Sequence, residues 1–270
     1  MNQTNNIKLI AFDIDDTLMG KNLRISAANL AAIERAKAAG TKIIIATGRT
    51  MLAARPILET LRTGLPSVHF GGAVILDADF TTVLQARYIA RETVRAALLA
   101  AGELGLVAQV YSGDLVIAPY DNEFTRIYCE RLHLPHSIRA DLAENPPADS
   151  PKVLAFAPPE CCVGAVAALT ALLPSSVQVL QSLPGFLEIN DRLSTKGNAL
   201  RWICERMGIV RENVAAAGDN SLDLDMIEWA GLGCAVGNAT PAVKAAADLI
   251  LPPCDEDGAA WLVERVLAER

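Results

Sequence analysis

Short apolar runs, each closed at once by turn-forming residues, alternate along this chain with stretches whose apolar positions recur every three or four residues. Ile7-Lys8-Leu9-Ile10-Ala11-Phe12 is the first such run. Its length and Ile/Phe content predict a buried strand, and aspartates follow it directly. Ser26 is placed to N-cap a helix that carries Leu30 and Ile33 inward and ends at Gly40. Lys42-Ile43-Ile44-Ile45-Ala46 predicts a second buried strand, stopping at Thr47-Gly48-Arg49. A helix from about Met51 to Leu61 contains Pro56, which predicts a kink or a late start. Val68 to Leu76 reads as strand material broken by Gly71-Gly72.

The last third repeats this rhythm. Ser194 or Thr195 caps a helix whose Leu200, Ile203, Cys204 and Met207 fall on one face, and Gly208 ends it. Val214-Ala215-Ala216-Ala217 is a short strand closing on Gly218-Asp219. A helix over about Ser221 to Trp229 follows, then strands at Leu232 to Val236 and Asp248 to Leu251. The middle behaves differently. It mixes alanine-rich helices (Glu92 to Ala101, Cys162 to Leu173) with short strands at Gln109 to Tyr111, Leu115 to Ile117, Lys152 to Phe156 and Val177 to Leu180. The expected architecture is α/β: a doubly wound, Rossmann-like, mostly parallel sheet from 1–80 and 189–270, with an α+β domain over 81–188 inserted into it.

Composition narrows the partners. In 270 residues the hydrophobic fraction is 51%, enough for a sizeable core, and the net charge of −7 argues against a general binder of nucleic acid or anionic membrane. The polar start, Met1-Asn2-Gln3-Thr4-Asn5-Asn6, leads into an apolar run too short for a signal peptide. No apolar stretch reaches membrane-spanning length; Val163 to Leu173 comes closest and reads as a packed helix. A soluble, cytoplasmic chain is expected. Six cysteines without CxxC spacing are expected to be buried and reduced.

The chemistry concentrates at strand ends. Asp13, Asp15 and Asp16 fall within four positions, and such mutual repulsion calls for a cation, a shared proton or open solvent. Carboxylates at the carboxyl end of a strand in an open α/β sheet point into the ligand crevice. These features suggest a divalent-metal site with a carboxylate free to attack. Three further pieces, Thr47-Gly48-Arg49, Lys196-Gly197 and Gly218-Asp219-Asn220-Ser221-Leu222-Asp223, also fall at strand ends or helix starts. Lysine at a helix N-terminus is electrostatically disfavoured, so an anion is expected beside Lys196.

With these four pieces in this order, the chain resembles the haloacid dehalogenase-like superfamily. Phe186-Leu187-Glu188-Ile189 and Ala235-Val236-Gly237-Asn238-Ala239 narrow the resemblance to the Cof-type phosphatases. The resemblance implies a phosphomonoester hydrolase that forms an aspartyl-phosphate, with Asp13 as nucleophile and Asp15 as general acid and base. It further implies Mg²⁺ held by Asp13, the Asp15 carbonyl and Asp219. Phosphate would be held by Ile14, Thr47, Gly48 and Lys196, with Asp223 and Asn220 in support.

From Thr47 to Lys196 is 196 − 47 = 149 residues, room for a domain, so the resemblance places a type-II cap there. The implied partner is a small phosphorylated metabolite, with no nucleic acid and no membrane, and the chain a monomer or homodimer. Alternatives are a hexose-phosphate phosphomutase and a non-catalytic phosphometabolite-binding protein. The chain departs from the family pattern at Leu222 and Gly71, where asparagine is common, and at Asp16, where glycine is common. Asp16 is expected to point to solvent. Tyr111, Asp114, Tyr120, Arg126, Ser182 and Glu188 are candidates for lining a substrate pocket, but their spacing singles none out.

Overall fold

The structure, a computed structural model, describes residues 6–269; the polar residues 1–5, and residue 270, lie outside that description. The chain runs β1 (Leu9–Phe12), α1 (Ala27–Ala38), β2 (Lys42–Ala46), α2 (Met51–Leu61), β3 (Ser67–His69), β4 (Val74–Leu76) and β5 (Val83–Ala86). It continues through α3 (Arg91–Glu103), β6 (Val107–Ser112), β7 (Leu115–Ala118), α4 (Glu123–Leu132), β8 (His136–Ile138), β9 (Lys152–Phe156), α5 (Cys162–Leu172), β10 (Val177–Leu183) and β11 (Phe186–Asp191). It closes with α6 (Lys196–Met207), β12 (Val214–Gly218), α7 (Leu224–Trp229), β13 (Leu232–Ala235), α8 (Pro241–Ala246), β14 (Leu249–Ile250) and α9 (Gly258–Ala268).

Two compact units result. One comprises the chain through Gly48, Pro56–Leu84 and everything from Thr195; the other comprises Arg49–Arg55 and Gln85–Ser194. The edges thus fall a few residues beyond the 80 and 188 read from the sequence, and the first turn of α2 is grouped with the insertion.

The first unit is built on an eight-stranded sheet in the order β14-β13-β12-β1-β2-β3-β4-β5. From β14 to β3 the strands are parallel, and β4 reverses. Strands β1, β12 and β13 are buried throughout, which explains why they read as continuous apolar runs rather than as alternation. The chain leaves β1 toward β2 on one side and returns, after the insertion, as β12 on the other. The carboxyl end of β1 is therefore a topological switch point, where a crevice opens. Helix α1 is capped as expected, with the Ser26 side chain accepting from the Asn29 N–H, but its inner face is Asn29, Ala32, Ile33 and Ala36. Leu30 is only half-buried. Helix α2 runs through Pro56 without a late start.

The strand read over Val68 to Leu76 is two antiparallel strands, β3 and β4, turned at Phe70-Gly71-Gly72. Gly72 has φ +113, and a Cβ there would lie 2.2 Å from the Thr195 carbonyl oxygen, so only glycine lets this turn seat against the start of α6.

The second unit holds a six-stranded sheet, β10-β11-β9-β6-β7-β8, antiparallel except for β7 against β8. One face carries Ala108, Val110, Val153, Ala155, Leu187 and Ile189, which form a core with residues of α3 and α5. Helix α4 was not evident from the sequence because its Phe124 and Ile127 are exposed, so apolar spacing does not mark its buried side. Among the described residues no helix is long and apolar enough to cross a membrane. All six cysteines are free; five are buried and Cys161 is exposed, against expectation, because it sits in the turn before α5.

Candidate active site

Three parallel neighbours end together. Phe12 is in register with Ala217 of β12 and Ile45 of β2, so Asp13, Asp219 and Thr47 emerge along one edge of the sheet. The Asp13 N–H still donates to the Ala217 carbonyl at 3.1 Å, which anchors its backbone to the strand ladder. Beyond it the chain turns sharply: the Ile14 carbonyl accepts from Leu18 and Met19, and the Ile14 side chain is buried.

Helix α6 delivers Lys196. The Thr195 side chain caps it by accepting from the Asn198 N–H, and Lys196 is the first helical residue. Its ammonium donates to Asp13 Oδ1 at 2.6 Å and to Asp223 Oδ1 at 2.6 Å. This places anions beside the helix N-terminal lysine, as its position demands. Asp223 Oδ2 accepts the backbone N–H groups of Asp219 and Asn220, fixing the turn that presents Asp219. Oxygen atoms of Asp13, Asp219 and Asp223 all lie within 4.8 Å of one another.

The electrostatics are those of a crowded, buried anion cluster. Burial, with the carboxylates of Asp223 and Asp15, pushes the Asp13 carboxyl up to about 7 even though Lys196 pulls it down. Burial and the neighbouring Asp13 and Asp223 push Asp219 to about 9. Burial alone would lower the Lys196 ammonium, but Asp13 and Asp223 outweigh it and hold the proton firmly. Three carboxylates against one ammonium leave a formal −3 + 1 = −2 when all are ionised. Hard oxygen donors with an excess of two negative charges fit a divalent cation such as Mg²⁺.

Other residues take less central positions. Asp15 is half-buried two residues past Asp13, outside the close trio. Asp16 is also half-buried, not fully solvated, in a left-handed conformation (φ 54) that suits glycine, and its carbonyl accepts from Asn238 Nδ2. Thr47 is buried at the end of β2, its N–H donating to Val68 and its carbonyl accepting from Gly71; Gly48 beside it is half-buried. Asn220 is engaged at both ends of its amide, donating to Asp219 Oδ1 and accepting from the Leu222 N–H. It shapes the Asp219 turn locally. Leu222 is itself buried, as its apolar side chain requires.

One site-building residue went unread in the sequence. Asp225 accepts from the Gly197 N–H at 3.0 Å, satisfying an unpaired donor at the start of α6. A Cβ on Gly197 would lie 2.6 Å from Asp225 Oδ2, so glycine after the lysine lets α6 and α7 approach. The signal available was Asp225 itself, one step beyond the Asp219/Asp223 pair, which reads alone as an ordinary first-turn acid.

Gly218 has a comparable constraint, since a Cβ would stand 2.4 Å from Cβ and Cγ of Asp223. Gly218→Ala is therefore expected to cost about 2 kcal/mol through overpacking, read as a lowered thermal midpoint. A midpoint equal to wild type would show that the Asp223 turn has room to move.

A parallel sheet whose switch point gathers three aspartates against a lysine from a later helix defines a class of hydrolase. A profile of the haloacid dehalogenase-like hydrolases matches residues 10–263. The chain belongs to that family, among its Cof-type phosphatases. It is 28% identical to the 5-amino-6-(5-phospho-D-ribitylamino)uracil phosphatase YcsE of Bacillus subtilis, over 94% of this chain and 93% of that one. It is likewise 28% identical to the pyridoxal phosphate phosphatase YbhA of Escherichia coli, over 95% and 97% of the two chains. The crystal structure of a haloacid dehalogenase-like hydrolase from Bacteroides thetaiotaomicron superimposes with a TM-score of 0.83 at 27% identity, covering 96% of this chain and 99% of that one.

Proposed function

We propose that the protein is a Mg²⁺-dependent phosphatase of small phosphorylated metabolites that works through an aspartyl-phosphate on Asp13. The observation that carries this reading is the buried meeting of Asp13, Asp219 and Asp223 with the Lys196 ammonium. Mg²⁺ would be held by Asp13, Asp219 and the Asp15 carbonyl, and when bound it offsets the repulsion between a carboxylate and a phosphate dianion. Both Asp223 oxygens are already occupied, one by Lys196 and one by backbone N–H groups, which supports a role behind the metal ligands.

Asp13 Oδ attacks phosphorus while the bond to the leaving oxygen breaks, and Asp15 gives that oxygen its proton. Asp15 then takes a proton from water, whose oxygen attacks phosphorus and releases Asp13 and inorganic phosphate. An ammonium has three N–H donors; Lys196 commits two to Asp13 and Asp223, leaving the third for a phosphoryl oxygen. Thr47 and the backbone of Ile14 and Gly48 take the remaining oxygens as charge shifts. YcsE and YbhA are named for a phosphoribityl pyrimidine and for pyridoxal phosphate, and we extend that class of small phosphorylated metabolite to this chain.

Hydrolysis of p-nitrophenyl phosphate is expected to require Mg²⁺, to stop with EDTA and to return when Mg²⁺ is restored. Metal-independent turnover would defeat the proposal. The thermal midpoint provides a second reading. Carboxyls raised to about 7 and about 9 retain protons at neutral pH in metal-free protein, and these must leave before a cation binds. The midpoint gain from MgCl₂ is therefore expected to be larger at pH 8 than at pH 6. Equal gains at both would exclude these carboxyls as ligands. A screen of phosphorylated metabolites with phosphate release as readout identifies the substrate.

A further inference from the structure

Ala235-Val236-Gly237-Asn238-Ala239 closes β13 and contributes no side chain to the aspartate–lysine cluster. Its backbone is nevertheless tied to the turn that presents Asp219. The Val236 N–H donates to the Gly218 carbonyl at 3.3 Å, and the Thr240 N–H, just past the motif, donates to the Asp219 carbonyl at 2.9 Å. On its other side the loop is fastened to the segment before α9, where the Gly237 N–H donates to the Pro252 carbonyl at 3.3 Å.

The Asn238 side chain reaches from this loop to a third segment. Its Nδ2 donates to the Asp16 carbonyl at 2.7 Å, and its Oδ1 accepts from the Cys254 N–H at 2.8 Å. A carbonyl on one side and an N–H on the other fix which way the amide faces. Asp16 stands in the left-handed region, with φ 54, a conformation that costs energy for a residue with a Cβ and so has to be held by its surroundings. Its N–H donates to the Met19 carbonyl at 2.8 Å, so the Asn238 bond completes a hold on the peptide groups at both sides of Asp16. Asp15 is the residue immediately before, and it lies outside the buried trio. The direction in which its carboxyl leaves the chain follows from this turn. Asn238 is exposed, so water would satisfy the Asp16 carbonyl in its absence, and the bond adds little to stability. A tie that served only the loop would need the Cys254 bond but not the donor aimed at Asp16.

We propose that Asn238 is a positioning residue for the general acid. It holds the Asp16 peptide so that the Asp15 carboxyl delivers its proton to the leaving oxygen as that oxygen's bond to phosphorus breaks. The inference rests on the phosphatase reading and adds a residue to its proton-transfer step.

The test compares kcat/KM for p-nitrophenyl phosphate and phenyl phosphate with Mg²⁺ present. The two esters differ by one nitro group, and phenolate is much the poorer leaving group, so its departure depends more on a proton from the acid. This ratio of constants covers events up to departure of the alcohol, before Asp15 acts as base. Asn238→Ala is expected to lower kcat/KM for phenyl phosphate by about tenfold or more, and for p-nitrophenyl phosphate by less than about threefold. Asn238→Asp keeps the acceptor for Cys254 and loses the donor to Asp16, so it should show the same split. The thermal midpoint of each variant should lie within about 4 °C of wild type. A loosened loop depresses both esters alike, whereas a misaimed acid depresses the one that needs its proton. Equal losses on both esters, no loss on either, a split that Asn238→Asp does not share, or a collapsed midpoint in both variants would each overturn the assignment. Wild-type protein inert toward both esters would instead remove the phosphatase reading, and this role with it.

Discussion

Asp13→Asn protein is expected to release phosphate from p-nitrophenyl phosphate at no more than about one-thousandth of the wild-type rate, while remaining at least as stable without metal. The rate loss follows from the chemistry. An amide oxygen is a poor nucleophile toward phosphorus and does not form the acyl-phosphate, so covalent catalysis disappears rather than slows, a loss of at least about 4 kcal/mol in barrier lowering. Stability moves the other way for a reason specific to this site. The Asp13 carboxyl is held up to about 7 chiefly by burial. A carboxyl whose folded pKa lies above its unfolded value stabilises the fold fully only below about pH 4, and that contribution fades as pH rises through 7. Asparagine carries no charge to lose, so at pH 8 the variant avoids the cost of a buried carboxylate while Lys196 keeps Asp223. Activity by phosphate release and midpoint by thermal melting, measured at pH 8 in EDTA-treated protein, separate the two effects. Full activity in Asp13→Asn would remove the nucleophile; inactivity with a collapsed midpoint would make the loss a folding defect.

Lys196→Met should have the largest effect on the fold. Lys196 is buried and is the shared cation between Asp13 and Asp223, each 2.6 Å away. Methionine fills much of the same volume but leaves two buried carboxyls facing each other without a counter-charge. Breaking a buried pair from one side costs about 3 to 5 kcal/mol, more than surface pairs of the same geometry. The penalty is expected to be smaller at pH 5 than at pH 8, since the Asp13 carboxyl, already raised, takes up a proton more readily once the ammonium is gone. The measurement is the midpoint of the transition reporting on the first unit, since two units need not melt together. A penalty that does not shrink on acidification would mean that lost packing, not uncompensated charge, is responsible. Phosphate release should also fall by about a thousandfold, because the proposed donor to the phosphoryl group and the restraint on Asp13 vanish together.

Several features were readable from local sequence because local physics decides them. Apolar runs closing on Asp13, Thr47 and Gly218 mark buried parallel strands, since strands covered on both faces have no polar side to show. The Ser26 and Thr195 caps follow from short polar side chains preceding helical spacing. The disfavoured lysine at the start of α6 signalled a nearby anion before its partners were visible. Less was readable where neighbours distant in sequence decide. Val68 to Leu76 looked like one interrupted strand, and only its pairing with itself and the seat of Gly72 on Thr195 reveal a reversal. Asp225 reads as a routine first-turn acid until Gly197, 28 residues earlier, is found on it.

The residues themselves thus determined which strands end in carboxylates and that a second unit is inserted between Thr47 and Lys196, though not its edges. Tertiary structure decided which aspartates meet. Asp13 and Asp15 are neighbours in sequence, yet Asp13 lies in the close trio with Asp219 and Asp223 from more than 200 residues away. The reason is that strand order, not spacing along the chain, sets which strand ends adjoin: β12 pairs beside β1 and carries its turn with it. The face of the second sheet turned away from α3 and α5 shows the same division. Its residue types are unremarkable one by one, and only antiparallel register brings Gln109, Lys152, Glu188 and Asn190 onto one buried face.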